Sequence, residues 1–289
     1  MPPPDGSRDR RIEDPSNLWL IHPAGRALLP RALAWRISAN SVSVCGLLLG
    51  AAAAACYAQW DHAAFALVGL LLSVCWLIAD GLDGMVARAT GTASALGRML
   101  DGLCDHGVFA LIYCSLAITI GTLDGWALAL VAAAAHAVQS SLYEGERARF
   151  HRRIRGQALA APPVPAGNAL VRLYDGVATS IDRIAMPFER VLGRADDSGA
   201  LGRRYGARAV APMRLMALLT ANVRVGAIFV ACFAGNPRIF WWFEIVPLTI
   251  VLLVGLAWHR RVERTFTHST AAATEDRAAS AFIAREQGH

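Results

Sequence analysis

The chain contains no lysine; all 28 of its basic residues are arginine. Charge of either sign is scarce, at 17% of 289 residues, where a soluble domain carries about 25%. That deficit, with 55% hydrophobic residues and a mean hydropathy of +0.39, excludes a disordered chain and argues against a water-soluble globule. Paired cysteines are missing as well. Cys45, Cys56, Cys75, Cys104, Cys114 and Cys232 never form a CxxC and all lie in apolar stretches, so neither a zinc site nor a disulfide framework is indicated. They read as small buried hydrophobes. After the polar first fifteen residues no short apolar core with a small-residue cleavage site follows, so no removable signal peptide is expected. The composition is that of a membrane protein.

What is present is a series of long apolar segments. About 20 mostly apolar helical residues cross a bilayer, and Ile37 to Trp60 is free of formal charge. Ala63–Ala79, Gly107–Leu123 and Gly125–Tyr143 give three further spans, and 215–237 and 239–258, interrupted by Arg224 and Glu244, give two more. In residues 17–37 Trp19, Leu20, Leu28, Leu29, Leu33 and Trp35 interleave with Arg26, Arg31 and Arg36, as in a helix lying among headgroups. The predicted fold is all-α: a polytopic protein of six transmembrane helices with an N-terminal interfacial amphipathic helix. Residues 1–37 form the N-terminal segment, 38–260 the membrane domain and 261–289 a polar tail.

Arginine placement sets the expected orientation. The loop 146–208 holds Arg147, Arg149, Arg152, Arg153, Arg155, Arg203, Arg204 and Arg208, whereas the loops on the other side hold only Arg238. The positive-inside rule then puts that loop and both termini in the cytoplasm, in an inner or cytoplasmic membrane. Trp60, Trp126, Trp241 and Trp242 fall at the outer ends. Topology thus accounts for the net charge of +6, and a nucleic-acid partner is not needed. Within the loop, a breaker-rich run at 161–167 precedes Leu170, Leu173, Val177, Ile181, Ile184, Phe188 and Val191, whose spacing predicts a one-faced helix over 168–193. Pro187 is expected to bend or break it.

The chemistry-bearing stretch runs from Asp80 to Asp105. Asp80 and Asp83 are three apart, Asp101 and Asp105 four apart, so each pair shares one face of its helix. A short turn at Thr90-Gly91-Thr92 lets the two faces meet at one membrane edge. Four adjacent carboxylates repel unless neutralised, and an oxygen-only set without His or Cys suits Mg²⁺ or Mn²⁺. Gly81, Gly84 and Gly97 clear side chains around the set, and Arg88 offers a planar fork for phosphate oxygens.

Written out, the stretch is D-x2-D-G-x2-A-R-x8-G-x3-D-x3-D, with every fixed position filled. It resembles the signature of the CDP-alcohol phosphatidyltransferases (class I). The resemblance implies that Asp80, Asp83, Asp101 and Asp105 hold one or two Mg²⁺ (or Mn²⁺) ions, two in the preferred reading, against the pyrophosphate of a CDP-linked lipid donor. It implies Asp105 as the general base on an acceptor hydroxyl, and CMP as leaving group. Gly81, Gly84 and Arg88 would contact the nucleotide, and Ser94 stands where the family has a hydroxyl contact. The family often has Pro-Asn before its first span; here the run is Ser38-Ala39-Asn40, and Asn40 is carried over as a donor contact. The family also points to a homodimer, with Gly46 and Gly50 in the first span as a close-contact pair.

The acceptor is not written in the motif. The Arg147–Arg155 cluster and Arg214 suggest a phosphorylated polyol such as inositol phosphate or glycerol phosphate, against the plain alternative of positive-inside bias. Transfer of phosphoethanolamine or phosphocholine from a soluble CDP-alcohol to a lipid, a Mg²⁺-dependent membrane prenyltransferase and a cation transporter are the competing readings. An unpaired Arg224 at mid-span costs about 2.5–3.5 kcal/mol, so Glu244 is its expected ion-pair partner. Glu144 and Glu146 are expected to pair with neighbouring arginines. His62, His106 and His136 show no metal-ligand spacing.

Overall fold

The computed structural model describes residues 9–93, 95–159 and 185–286, with side chains described except at 95–101, 103 and 268–286. Among the described residues all regular structure is helical. The elements are α1 (His22–Ala34), entered through a π-turn at Asn17–Ile21, α2 (Ala39–Tyr57), α3 (Ala63–Thr90), α4 (Ala95–Ile120) and α5 (Leu123–Ile154). After them come α6 (described over 185–194), α7 (Ser198–Met216), α8 (Ala221–Phe233), α9 (Arg238–Phe243) and α10 (Thr249–Glu286).

Helices long and apolar enough to cross a membrane are Ala39–Tyr57, Ala63–Thr90, Leu123–Ile154 and Arg238–Thr267, and Ser198–Leu219 with Ala221–Phe233 makes a fifth if that pair is one broken span. Cys104–Ile120 is apolar but shorter. The expected six spans are therefore matched by four or five full-length candidates and one short one. The last candidate is irregular: α9 passes into a π-turn at Glu244–Leu248 before α10 begins. Pro247 lies inside that turn, and its missing N–H breaks the regular ladder. The segment expected as a polar tail after 260 continues as helix to Glu286. Of the expected helix 168–193, residues up to 184 lie outside the described set. Residues 185–194 are helical and carry Pro187 within them.

The chain divides into two compact units: Glu13–Gln139 with Leu218–Ile250, and Met1–Ile12 with Ser140–Ala217 and Val251–His289. The first unit contains the carboxylate signature. There α2 packs on α3 and α4, while α1 and α8 pack on α3. Its core gathers Ala53, Ala54, Tyr57, Trp76, Val108, Ile112 and Leu116, all nearly or fully buried. Glycine sets the spacing: a Cβ on Gly50 would stand 2.3 Å from Val108 Cγ2, and one on Gly69 2.8 Å from Tyr57 Cε1. A Cβ on Gly46 would meet Ala79 Cβ at 3.4 Å. The Gly46/Gly50 pair, expected between copies, is thus used within the chain, where α2 meets α3 and α4.

Two helix ends in this unit are built alike. At the end of α3, Thr92 N–H donates to the Ala87 carbonyl and Gly91 N–H to that of Arg88, with Gly91 at φ 67°. At the end of α1, Ile37 N–H donates to Ala32 and Arg36 N–H to Leu33, with Arg36 at φ 53°. Both are Schellman motifs, whose left-handed residue is normally glycine. A side chain with a Cβ pays roughly 1–2 kcal/mol there. After this corner Ser38 caps α2, its Oγ accepting from Ser41 N–H at 3.1 Å.

Candidate active site

The end of α3 and the start of α2 enclose a cavity of about 770 Å³, lined among others by Arg36, Asn40, Ser43, Asp83, Gly84 and Arg88. Four of these (Asn40, Asp83, Gly84 and Arg88) were picked out from sequence. Helical periodicity explains the α3 wall: Gly84 and Arg88 are one turn apart, and an added Cβ at Gly84 would stand 3.2 Å from Arg88 Nη1. The glycine gives the guanidinium room to lie back along its own helix.

Asp83 is only 5% exposed, and Ser43 Oγ of α2 donates to its Oδ2 at 2.6 Å. This contact fixes the carboxylate's rotation. Asp80 and Asp105 are half-buried on α3 and α4. The Asp101 side chain and Ser94 lie outside the described residues. Gly81 does not line the cavity; a Cβ there would meet Ile21 Cγ2 at 3.5 Å, so it faces the N-terminal π-turn. Of the four aspartates only Asp83 is among the described residues lining the cavity; a set of carboxylates of this kind would suit a hard divalent cation. His106 Nδ1 is held 2.7 Å from the Gly102 carbonyl of its own helix, and so acts as donor there.

Residues 36–166 match the family model for CDP-alcohol phosphatidyltransferase. This stretch is a CDP-alcohol phosphatidyltransferase domain. No curated protein and no solved structure matches the chain. The CDP-alcohol phosphatidyltransferase domain opens at the Arg36 corner and takes in the cavity wall apart from Leu33, together with all four signature aspartates. That family transfers phosphate-containing groups from CDP-alcohols.

Sequence reasoning missed Ser43 and Arg36. Ser43 is three residues after Asn40 on α2 and shares its face, a signal that was available. Arg36 had none, because its left-handed backbone depends on how α1 ends. The pair expected in the fifth and sixth spans is present: Arg224 Nε donates to Glu244 Oε1 at 2.9 Å and Nη2 to Gln139 Oε1 at 2.9 Å, both deep in the first unit. Arg224 Nη1 also caps the Leu219 carbonyl, at the end of a 3₁₀ turn (Ala217–Leu219) where the helix breaks before α8.

The second unit holds another acidic group. Glu146, His259 and Glu263 are buried and bring ligand atoms within 4.8 Å of one another, the only such group of three among the described residues. It does not suit a metal. Arg260 reaches both carboxylates, Arg153 Nη1 donates to Glu263 Oε1 at 2.5 Å, and His259 lies between Glu146 Oε2 and the Tyr205 hydroxyl at 2.6 Å each. A cation would have to displace guanidinium groups already balancing the charge. Arg149 pairs with Glu146 at 3.4 Å, and Arg147 with Glu144 at 3.3 Å, as the sequence suggested. Arg152 and Arg153 converge on Glu189 Oε1 at 2.6 and 2.8 Å. Burial alone would raise the Glu189 carboxyl, but Arg153, the Leu159 N–H and Arg152 hold it below the ordinary carboxylate range.

Proposed function

We propose that the chain transfers a phosphatidyl group from CDP-diacylglycerol to the hydroxyl of a polar alcohol in phospholipid biosynthesis. The observation that carries this is the single cavity joining Asp83, Gly84 and Arg88 of the signature to Asn40 and Ser43 of α2. Asp80, Asp83, Asp101 and Asp105 would hold Mg²⁺ or Mn²⁺, which when bound neutralises the diphosphate and the departing CMP. Asn40, Gly84 and Arg88 bind and orient the nucleotide and its phosphates, with Gly81 and Ser94 assigned to the same donor by resemblance. Asp105 takes the proton from the acceptor hydroxyl. The acceptor oxygen forms the new P–O bond while the P–O bond to CMP breaks.

The reaction face is cytoplasmic on the arginine distribution, in an inner membrane, with α1 lying in the interface through Trp19, Leu20, Leu28, Leu33 and Trp35, all exposed. The protein acts as a homodimer by resemblance. A phosphorylated polyol is the proposed acceptor class, although Arg149, Arg152 and Arg153 are committed to carboxylates. That leaves the basic cluster less able to serve it.

The test is CMP release by purified protein with Mg²⁺ and CDP-diacylglycerol, with polar alcohols and their phosphates supplied one at a time. Release with one acceptor, lost in Asp105→Asn, supports the reading and names the product. Activity only with CDP-choline or CDP-ethanolamine and a lipid acceptor reverses the donor. Silence with every CDP donor overturns the reading.

A further inference from the structure

Arg36 occupies a position built for glycine. Among the described residues every other positive φ belongs to glycine, at Gly91, Gly121, Gly156 and Gly235, and Gly91 ends α3 with the same pair of hydrogen bonds that Arg36 completes for α1. The fold therefore asks for a left-handed residue at 36 and gains nothing from a side chain there. The side chain is not used internally either: it is exposed and, among the described residues, has no hydrogen-bond or ion-pair partner. It does line the cavity. Among the described residues, it makes up the charged lining of that wall with Asp83 and Arg88. Strained residues persist where a ligand contact compensates for them, and guanidinium forks are matched to phosphate oxygens.

Building on the proposed CDP-dependent transfer, we propose that Arg36 binds a phosphate of the donor's diphosphate from the α1 side of the cavity, opposite the α3 wall that carries Arg88. The arginine is kept against the backbone's preference because it positions the donor.

Arg36→Gly separates this role from folding, because glycine is the residue the backbone favours. Binding of CDP and of cytidine is measured by calorimetry, with wild type and variant in zwitterionic nanodiscs containing Mg²⁺. The expected result is a variant that binds CDP about tenfold more weakly or worse, binds cytidine as wild type does, and melts at or above the wild-type temperature. Equal CDP affinity in a wild type that binds CDP overturns the role of Arg36 and leaves the transferase reading standing. Failure of wild type itself to bind CDP overturns both. Unchanged CDP binding with reduced affinity for vesicles of anionic phospholipid shows that the phosphate is a headgroup's and overturns the donor contact. A variant that melts below wild type overturns the proposal too, since Arg36 would then serve the fold.

Discussion

Ser43 donates a hydroxyl hydrogen bond to Asp83 across the α2–α3 contact, and that bond holds the orientation of a carboxylate that lines the cavity. Removing it in Ser43→Ala should lower Mn²⁺ affinity by about 10–100-fold, read by electron paramagnetic resonance of the protein without substrate, and Ser43→Thr should restore most of it. Equal affinity in Ser43→Ala would mean that packing alone orients Asp83. At the same scale, Asp105→Asn should cut turnover by about 10²–10⁴-fold while CDP binding persists, separating proton removal from donor binding. Asp83, Gly84 and Arg88, which share one cavity wall, were legible because residues that act together on a helix keep a fixed spacing. Ser43 and Arg36 act from another helix and from a helix end, where spacing within the motif carries no information.

Helix packing in the first unit depends on glycines that hydropathy cannot distinguish from filler. Gly50→Ala places a methyl group against Val108 and should cost roughly 1–3 kcal/mol, seen as a lower melting temperature in detergent. The double variant Gly50→Ala/Val108→Ala should regain part of the loss. Arg224→Met leaves Glu244 buried without its guanidinium and the Leu219 carbonyl uncapped; a loss of about 3–5 kcal/mol is expected, much reduced when Glu244→Gln is added. The Arg224–Glu244 pair could be anticipated, since two isolated charges in apolar spans have few other partners. The break before α8 could not, because Ala217-Leu218-Leu219 reads as continuous apolar sequence, whereas the π-turn at Glu244–Leu248 carried a signal in Pro247 that hydropathy alone passes over.

Across the whole molecule, basic residues concentrate in the second unit, and the buried ones there, Arg149 and Arg153, meet carboxylates. Glu189, held ionised against its burial by Arg153, the Leu159 N–H and Arg152, is deprotonated more readily folded than unfolded. Its contribution to stability is therefore complete above the ordinary glutamate value of about 4.3 and is lost as pH falls through its lower folded value. Thermal melts between pH 7 and pH 3 should show a fall at the acid end, and Glu189→Gln should flatten it while lowering stability at neutral pH.

The glycine contacts of α2 bear finally on selectivity. With Gly50 seated on Val108 and Gly69 on Tyr57, α2 has no slack to swing away from α3, so the cavity behaves as a mould rather than a glove. A mould rejects by size. Nucleotide analogues enlarged on the side facing Asn40 and Ser43 should be refused outright instead of bound loosely, and relaxing the α2–α4 seam should be the change that admits them.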